Sequence, residues 1–135
     1  MNKTIKNIRT NILNLTYKAQ SSHIGSCLSI VEILFTLYNK ILKKDDRFIL
    51  SKGHAALALY STLYEKKKIS LKTLNTFGLN KTVLMNHVSH KVNGVEFSTG
   101  SLGHGLPIAV GKALKFKINK EKNRVFVLLS DGEMN

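Results

Sequence analysis

The residues in this chain best suited to chemistry are a set of glycines, five histidines and one carboxylate near the end of the sequence. Gly100-Ser101-Leu102-Gly103-His104-Gly105 is a glycine-rich loop that runs into a helical pattern. Free backbone N–H groups at a helix start suit a phosphate, and the same glycines also suit a tight turn. Asp131-Gly132 follows the apolar run Val125-Phe126-Val127-Leu128-Leu129, which reads as a buried strand. A strand that ends in Asp-Gly carries a carboxylate to the rim of a sheet, and in open parallel sheets ligands bind at that rim. Asp131 is read either as a turn former or, beside a phosphate loop, as an oxygen ligand for a hard cation such as Mg²⁺.

His23, His54, His87, His90 and His104 all fall in expected loops or at element ends. Imidazoles exchange protons near neutral pH, so several in one cleft suit general acid–base work on hydroxyls and carbonyls. Taken singly, each reads as an ordinary histidine. The spacings lack a short paired zinc motif, and Cys27 is the only cysteine, so a zinc site is not expected. Cys27 reads as a small buried filler rather than a nucleophile.

These residues need a scaffold, and the periodicity supplies one. Ile5, Ile8, Ile12, Leu13 and Leu15 recur at helical spacing over residues 3–20. Residues 21–27 form a small-residue break. Ser29-Ile30-Val31-Glu32 has the form of a capping box opening an apolar helix to about Leu42, hydrophobic almost all round and therefore expected to be buried. Phe48-Ile49-Leu50 reads as a short strand, Ser51-Lys52-Gly53-His54 as a loop, and residues 54–66 as a helix. Residues 70–78 are weakly helical, and residues 79–99 are polar and irregular. Leu106, Ala109, Val110, Ala113 and Leu114 make the apolar stripe of a helix that tolerates Pro107 in its first turn. Strands alternating with helices imply an α/β fold, a parallel sheet flanked by helices.

The 135 residues, 43% hydrophobic, suffice for one domain with a core. No apolar run approaches the roughly 20 residues of a membrane span, so no membrane partner is expected. The N-terminus lacks the apolar core of a signal peptide. One cysteine fits a reducing, cytoplasmic setting. The net charge is +13, yet of 21 basic residues only Arg9, Arg47 and Arg124 are arginines, and the charge is spread along the chain. That distribution favours a solvated surface over a nucleic-acid face, which would cluster its charge. It also suits phosphorylated small molecules or an acidic partner.

Taken together, these segments resemble the N-terminal, diphosphate-binding domain of transketolase over nearly the whole chain. Ser22-His23-Ile24-Gly25 is similar to the family's Gly/Ser-His-x-Gly segment. Asp46-Arg47-Phe48-Ile49-Leu50-Ser51-Lys52-Gly53-His54 is similar to its Asp-Arg-Phe-x-Leu-Ser-x-Gly-His signature. Residues 94–105 resemble its Gly-Val-Glu-x-x-Thr-Gly-x-Leu-Gly-x-Gly, and Asp131-Gly132 the start of its thiamine diphosphate motif. The resemblance implies a thiamine diphosphate-binding fold and an enzyme transferring a two-carbon ketol unit between sugar phosphates, oligomeric when complete. His23, His54 and His87 would be catalytic, with His54 also facing the cofactor. Gly100 and Leu102 would offer backbone groups to the diphosphate, Asp131 would bind Mg²⁺, and Gly132 would let the backbone approach. His90 has no counterpart, and His104 stands where Gln is common.

The family's His-Pro-Glu is His87-Val88-Ser89 here. The Asn that completes the family's Mg²⁺ site is absent, and Asn135 is too close to Asp131 to replace it. The pattern therefore implies an N-terminal domain cut short at its C-terminus, working with a C-terminal pyrimidine-binding subunit or domain. Two rivals accompany this reading: a thiamine diphosphate enzyme of specialised sugar biosynthesis, and a non-catalytic fragment that only folds or associates.

Overall fold

The computed structural model describes residues 2–135. Helix α1 (Lys3–Ala19) starts where the Asn2 side chain accepts the Thr4 N–H at 2.9 Å, and it ends at left-handed Gln20. Its buried stripe is Ile8, Ile12, Leu15 and Thr16. Leu13, placed on that stripe by the sequence pattern, is 49% exposed. Helices α2 (Ile24–Leu28) and α3 (Val31–Thr36) follow, and α3 runs on as a π turn over Leu37–Ile41. The expected break at 21–27 is thus partly helical, with buried Cys27 inside α2. Burial also pushes the Cys27 thiol above its ordinary pKa, as fits a filler.

Two further expectations fail in this stretch. The Ser29–Glu32 capping box does not form. Ile30 caps α3 without a side-chain bond, Ser29 Oγ donates to the Ser26 carbonyl, and Glu32 accepts a two-pronged pair from Arg9 at 2.8 and 2.9 Å. A tertiary guanidinium partner outcompetes the local backbone for that carboxylate. Residues 24–41, with a mean hydropathy of 1.3 over 18 residues, do satisfy the length and composition of a membrane span. The segment is broken at Ile30 (φ −113°, ψ 4°), and Val31 and Leu34 are fully buried, with α3 packed on α1 and on the helix described next.

Strand β1 (Arg47–Leu50) leads through a 3₁₀ turn, Gly53–Ala55, into α4 (Ala56–Glu65). Every residue of α4 from Ala56 to Leu63 is buried, which makes it the central helix of a core shared with α1, α3, Phe48 and Leu50. After a single turn, α5 (Leu71–Leu74), the chain is irregular to α6 (Gly105–Ile118) and then β2 (Val125–Leu128). The two strands pair in parallel, Arg47 opposite Val125 and Leu50 opposite Leu128. Their carboxyl ends are therefore level, and Ser51 N–H donates to the Leu128 carbonyl at 2.9 Å.

Strand β2 is half-buried along its length rather than buried. Among the described residues it has one strand neighbour. Of the stripe expected on α6 only Ala109 is buried, joined by Phe116. Leu106, Val110 and Leu114, with Ile118, are exposed. The helix contacts the two strands, a surface wide enough to cover only a narrow side of it.

Candidate functional site

Both strands deliver their next residues to one rim of the sheet. From β1 come Ser51, Lys52, Gly53 and His54. Gly53 sits where an added Cβ would lie 2.2 Å from the Thr99 carbonyl oxygen, and Thr99 Oγ1 in turn donates to the Leu50 carbonyl. No side chain fits at Gly53, so Gly53→Ala is expected to destabilise the protein by about 3 kcal/mol, the upper range of overpacking in a rigid core. Denaturant unfolding checks this; a loss under about 0.5 kcal/mol would mean that the 95–99 segment yields easily.

That close packing gathers three histidines. His23 and His54 have ring centroids 5.1 Å apart, and His23 and His87 6.0 Å apart. His23 caps α2 in the left-handed region at φ 69°, a conformation uncommon outside glycine and worth reading as functional when it holds a reactive side chain. His87 is held by its backbone. Tyr60, fully buried on α4, donates its hydroxyl to the His87 carbonyl at 3.1 Å and accepts the Ser89 N–H at 3.2 Å. Val88 N–H donates to the Gly53 carbonyl. His90 is turned away to Ser98 Oγ at 2.7 Å and stacks with none of the three rings among the described residues. His104 is the N-cap of α6, exposed, and makes no capping bond.

The electrostatics set His54 apart. Burial pushes its pKa below the ordinary histidine value, and the positive fields of His23, Lys52 and His87 push it the same way; Glu133 opposes them. His54 is therefore neutral at pH 7, with one ring nitrogen free to accept a proton and the other carrying one. Lys52, 7% exposed, is a buried cation beside it that the sequence reading passed over.

The glycine loop borders this cluster. A Cβ on Gly100 would lie 3.5 Å from His87 Cδ2. Among the described residues, the N–H groups of Gly100, Ser101 and Leu102 donate to no protein acceptor. Gly103 N–H donates to Glu133 Oε1 at 3.0 Å and Gly105 N–H to Ser51 Oγ at 3.1 Å. Ser51 Oγ also donates to Glu133 Oε1, and the other Glu133 oxygen accepts Ser130 N–H at 2.7 Å. Glu133 thus fastens the glycine loop, the end of β1 and the Asp131–Glu133 turn into one unit. Burial would raise its pKa, but the hydrogen bonds from Ser51, Gly103 and Ser130 outweigh that and hold the carboxyl below its usual value. Sequence reasoning missed Glu133, although Ser130-x-x-Glu133 has the capping-box form and the structure makes that box here.

A group whose folded pKa is depressed stabilises above its unfolded value, about 4.3 for Glu, and loses that contribution as pH falls through the folded value. Glu133→Ala is expected to cost about 1.5–3 kcal/mol at pH 7, the range for hydrogen bonds to a charged acceptor. Glu133→Gln should flatten the fall in stability on the acid side. Unfolding midpoints between pH 3 and 7 test both, and an unchanged acid limb would remove Glu133 from the unit.

The donor set fits an anionic cofactor with a divalent ion. Three N–H groups are free, Gly103 and Gly132 face open space where a Cβ would meet nothing within 4 Å, and Asp131 is exposed, its carboxylate with no hydrogen-bond or ion-pair partner among the described residues. No group of three or more His, Cys, Asp or Glu able to hold a metal occurs among the described residues. Asp131 would be one oxygen ligand, as for a cation that takes other oxygens from phosphate and water.

The family model described as transketolase, thiamine diphosphate binding domain, matches residues 1–135. The chain belongs to the transketolase family. It is 40% identical over 134 residues to a subunit of the apulose-4-phosphate transketolase of Phocaeicola vulgatus, covering 93% of this chain and 48% of that protein. To the 6-deoxy-6-sulfo-D-fructose transketolase subunit SqwG of a Clostridium species it is 35% identical, covering 93% and 50%. The structure matches that of a transketolase variant from Pichia stipitis in complex with xylulose-5-phosphate, with a TM-score of 0.75, 27% identity, and coverage of 98% of this chain and 22% of that one. The chain spans about half the length of these two subunit relatives. The thiamine diphosphate-binding domain expected from the sequence is thus confirmed at the level of the family, as are the helices around a small parallel sheet.

Proposed function

We propose that this chain forms the diphosphate-binding part of a thiamine diphosphate enzyme that transfers a two-carbon ketol unit between sugar phosphates. The observation that carries this reading is the Glu133 unit, which fixes three free loop N–H groups and the Asp131 carboxylate at one rim, next to three clustered histidines. In this role the N–H groups of Gly100 and Leu102 bind diphosphate oxygens, Asp131 binds the Mg²⁺ that neutralises them, and Gly132 keeps the approach clear. When bound, thiamine diphosphate supplies the carbon nucleophile that takes up the ketol unit. His23, His54 and His87 hold and move protons at substrate hydroxyl and carbonyl oxygens, and His54, held neutral at pH 7, is in the form that can accept one. A pyrimidine-binding subunit or domain completes the assembly. Relatives named as single subunits of transketolases support a separate partner, and the exposed apolar stripe of α6 supports a covering surface. A reducing cytoplasmic setting accords with the single buried cysteine.

One observation favours a specialised sugar as substrate. The sequence after His87 is Val88-Ser89 in place of the family's Pro-Glu, and relatives are named for apulose-4-phosphate and 6-deoxy-6-sulfo-D-fructose. Val88 is buried and the Ser89 N–H donates to Tyr60 Oη, so no carboxylate stands at this position. The test is reconstitution of the chain with a pyrimidine-binding partner, thiamine diphosphate and Mg²⁺, followed by assay of ketose phosphates against branched and sulfonated sugars. Ketol transfer that requires all components supports the proposal. Failure of the assembly to bind thiamine diphosphate overturns it.

A further inference from the structure

At the opposite end of β1 from the histidines lies a cavity of about 440 Å³. It opens beside Arg47, the first residue of the strand, about 13 Å from Ser51 at the usual strand rise. Its size falls in the range of small-molecule sites. Five cationic side chains, Lys43, Lys44, Arg47, Lys66 and Lys68, and two carboxylates, Asp46 and Glu96, line it. Both carboxylates are already satisfied. Asp46, with its side chain 4% exposed, accepts Arg124 Nη2 at 2.7 Å, the Arg124 N–H and the Lys43 N–H. Glu96 pairs with Lys112 and with Arg47 at 3.6 Å. Lys66 donates only to the neutral Asn39 side chain. Lys43, Lys44 and Lys68 have no ion-pair partner among the described residues.

The cavity thus keeps a net positive field that its own acids do not cancel. Converging cations raise the local concentration of anions and bind them through charge-assisted hydrogen bonds. The Lys68 stem runs close over Gly94, where an added Cβ would lie 2.9 Å from Lys68 Cδ, and Asn93 donates to the Lys68 carbonyl at 3.0 Å. Apolar side chains line the cavity as well. Tyr38 and Phe48 meet edge to face with centroids 5.8 Å apart, beside Leu42 and Val95.

We propose that this cavity is a second anion site, separate from the sheet-rim site, which takes a small molecule bearing two or more phosphate groups and an apolar portion. Lys43, Lys44 and Lys68 bind the phosphates, and the Tyr38–Phe48 wall receives the apolar portion. The site does not depend on the sheet-rim reading above.

Tripolyphosphate titrated into the isotope-labelled chain tests the proposal by amide NMR, shifts at residues 100–105 reporting the sheet rim separately. Saturable shifts are expected at Lys43, Lys44, Lys68 and Val95, with orthophosphate binding at least 10-fold more weakly. The triple variant Lys43→Gln, Lys44→Gln, Lys68→Gln should weaken tripolyphosphate binding at least 10-fold. The charge-matched variant Lys115→Gln, Lys117→Gln, Lys120→Gln should change it less than 2-fold. All six lysines are exposed, so both variants should fold. Shifts confined to residues 100–105, equal effects of the two variants, or shifts that never saturate would each overturn the proposal.

Discussion

Replacing His54 with alanine in the reconstituted enzyme is expected to lower ketol-transfer turnover on the order of 10²-fold or more, the scale of lost general acid–base help. His54 stands in the histidine cluster and is held neutral at pH 7 by burial and by the charges around it. His90→Ala is the matched control. His90 is exposed and occupied with Ser98, and its loss should change turnover only a few-fold. The pH profile carries a second signature. With its folded pKa depressed below about 6.5, neutral His54 persists into mildly acidic solution. Activity should therefore hold as pH falls to the ordinary histidine range and drop below it. Stability follows the same sign: the contribution from keeping His54 neutral is complete above about pH 6.5 and is lost as pH falls from there through the folded value. If His90→Ala were the more damaging change, the catalytic assignment of the cluster would be wrong.

Asp131→Ala is expected to weaken Mg²⁺-dependent thiamine diphosphate binding at least 100-fold, or about 2.7 kcal/mol. Asp131 is the carboxylate that the turn after β2 leaves free, whereas Glu133 two residues on is consumed by Ser51, Gly103 and Ser130. The two acids of this turn should therefore separate cleanly. Asp131→Ala should weaken binding by that factor while moving Tm by no more than about 1 °C, because the side chain is exposed and bonds to nothing in the protein. Glu133→Ala should lower both. Calorimetric titration of cofactor with and without Mg²⁺, alongside thermal unfolding, distinguishes them. Unchanged binding in Asp131→Ala would remove Asp131 from the metal site.

Much of this protein was legible in residue order. The stripe Ile8, Ile12 and Leu15 set α1. The alternation of short apolar runs with helical spacings pointed to a parallel α/β sheet. Four motifs in order marked the transketolase family before any geometry was known. Local chemistry dictates these features: helical period, strand length, and the residue types of the motifs in order.

What the sequence left open were choices between partners far apart in the chain. Two Ser-x-x-Glu segments look alike as strings, yet Glu32 is taken by Arg9 across the α1–α3 contact, and only Ser130–Glu133 closes as a capping box. Glu133 gains its importance from Ser51 and Gly103, 82 and 30 residues earlier. No local pattern encodes that convergence. The burial expected of β2 and of the α6 stripe failed for a related reason. Periodicity gives an element an apolar side, but the area removed from water depends on which neighbours the fold supplies, and here one strand and a narrow contact cover only part of it. Five histidines were candidates by type alone. Their sorting into three that meet and two that do not was decided by the left-handed turn at His23, the Tyr60 clamp on His87 and the packing of Gly53 against Thr99.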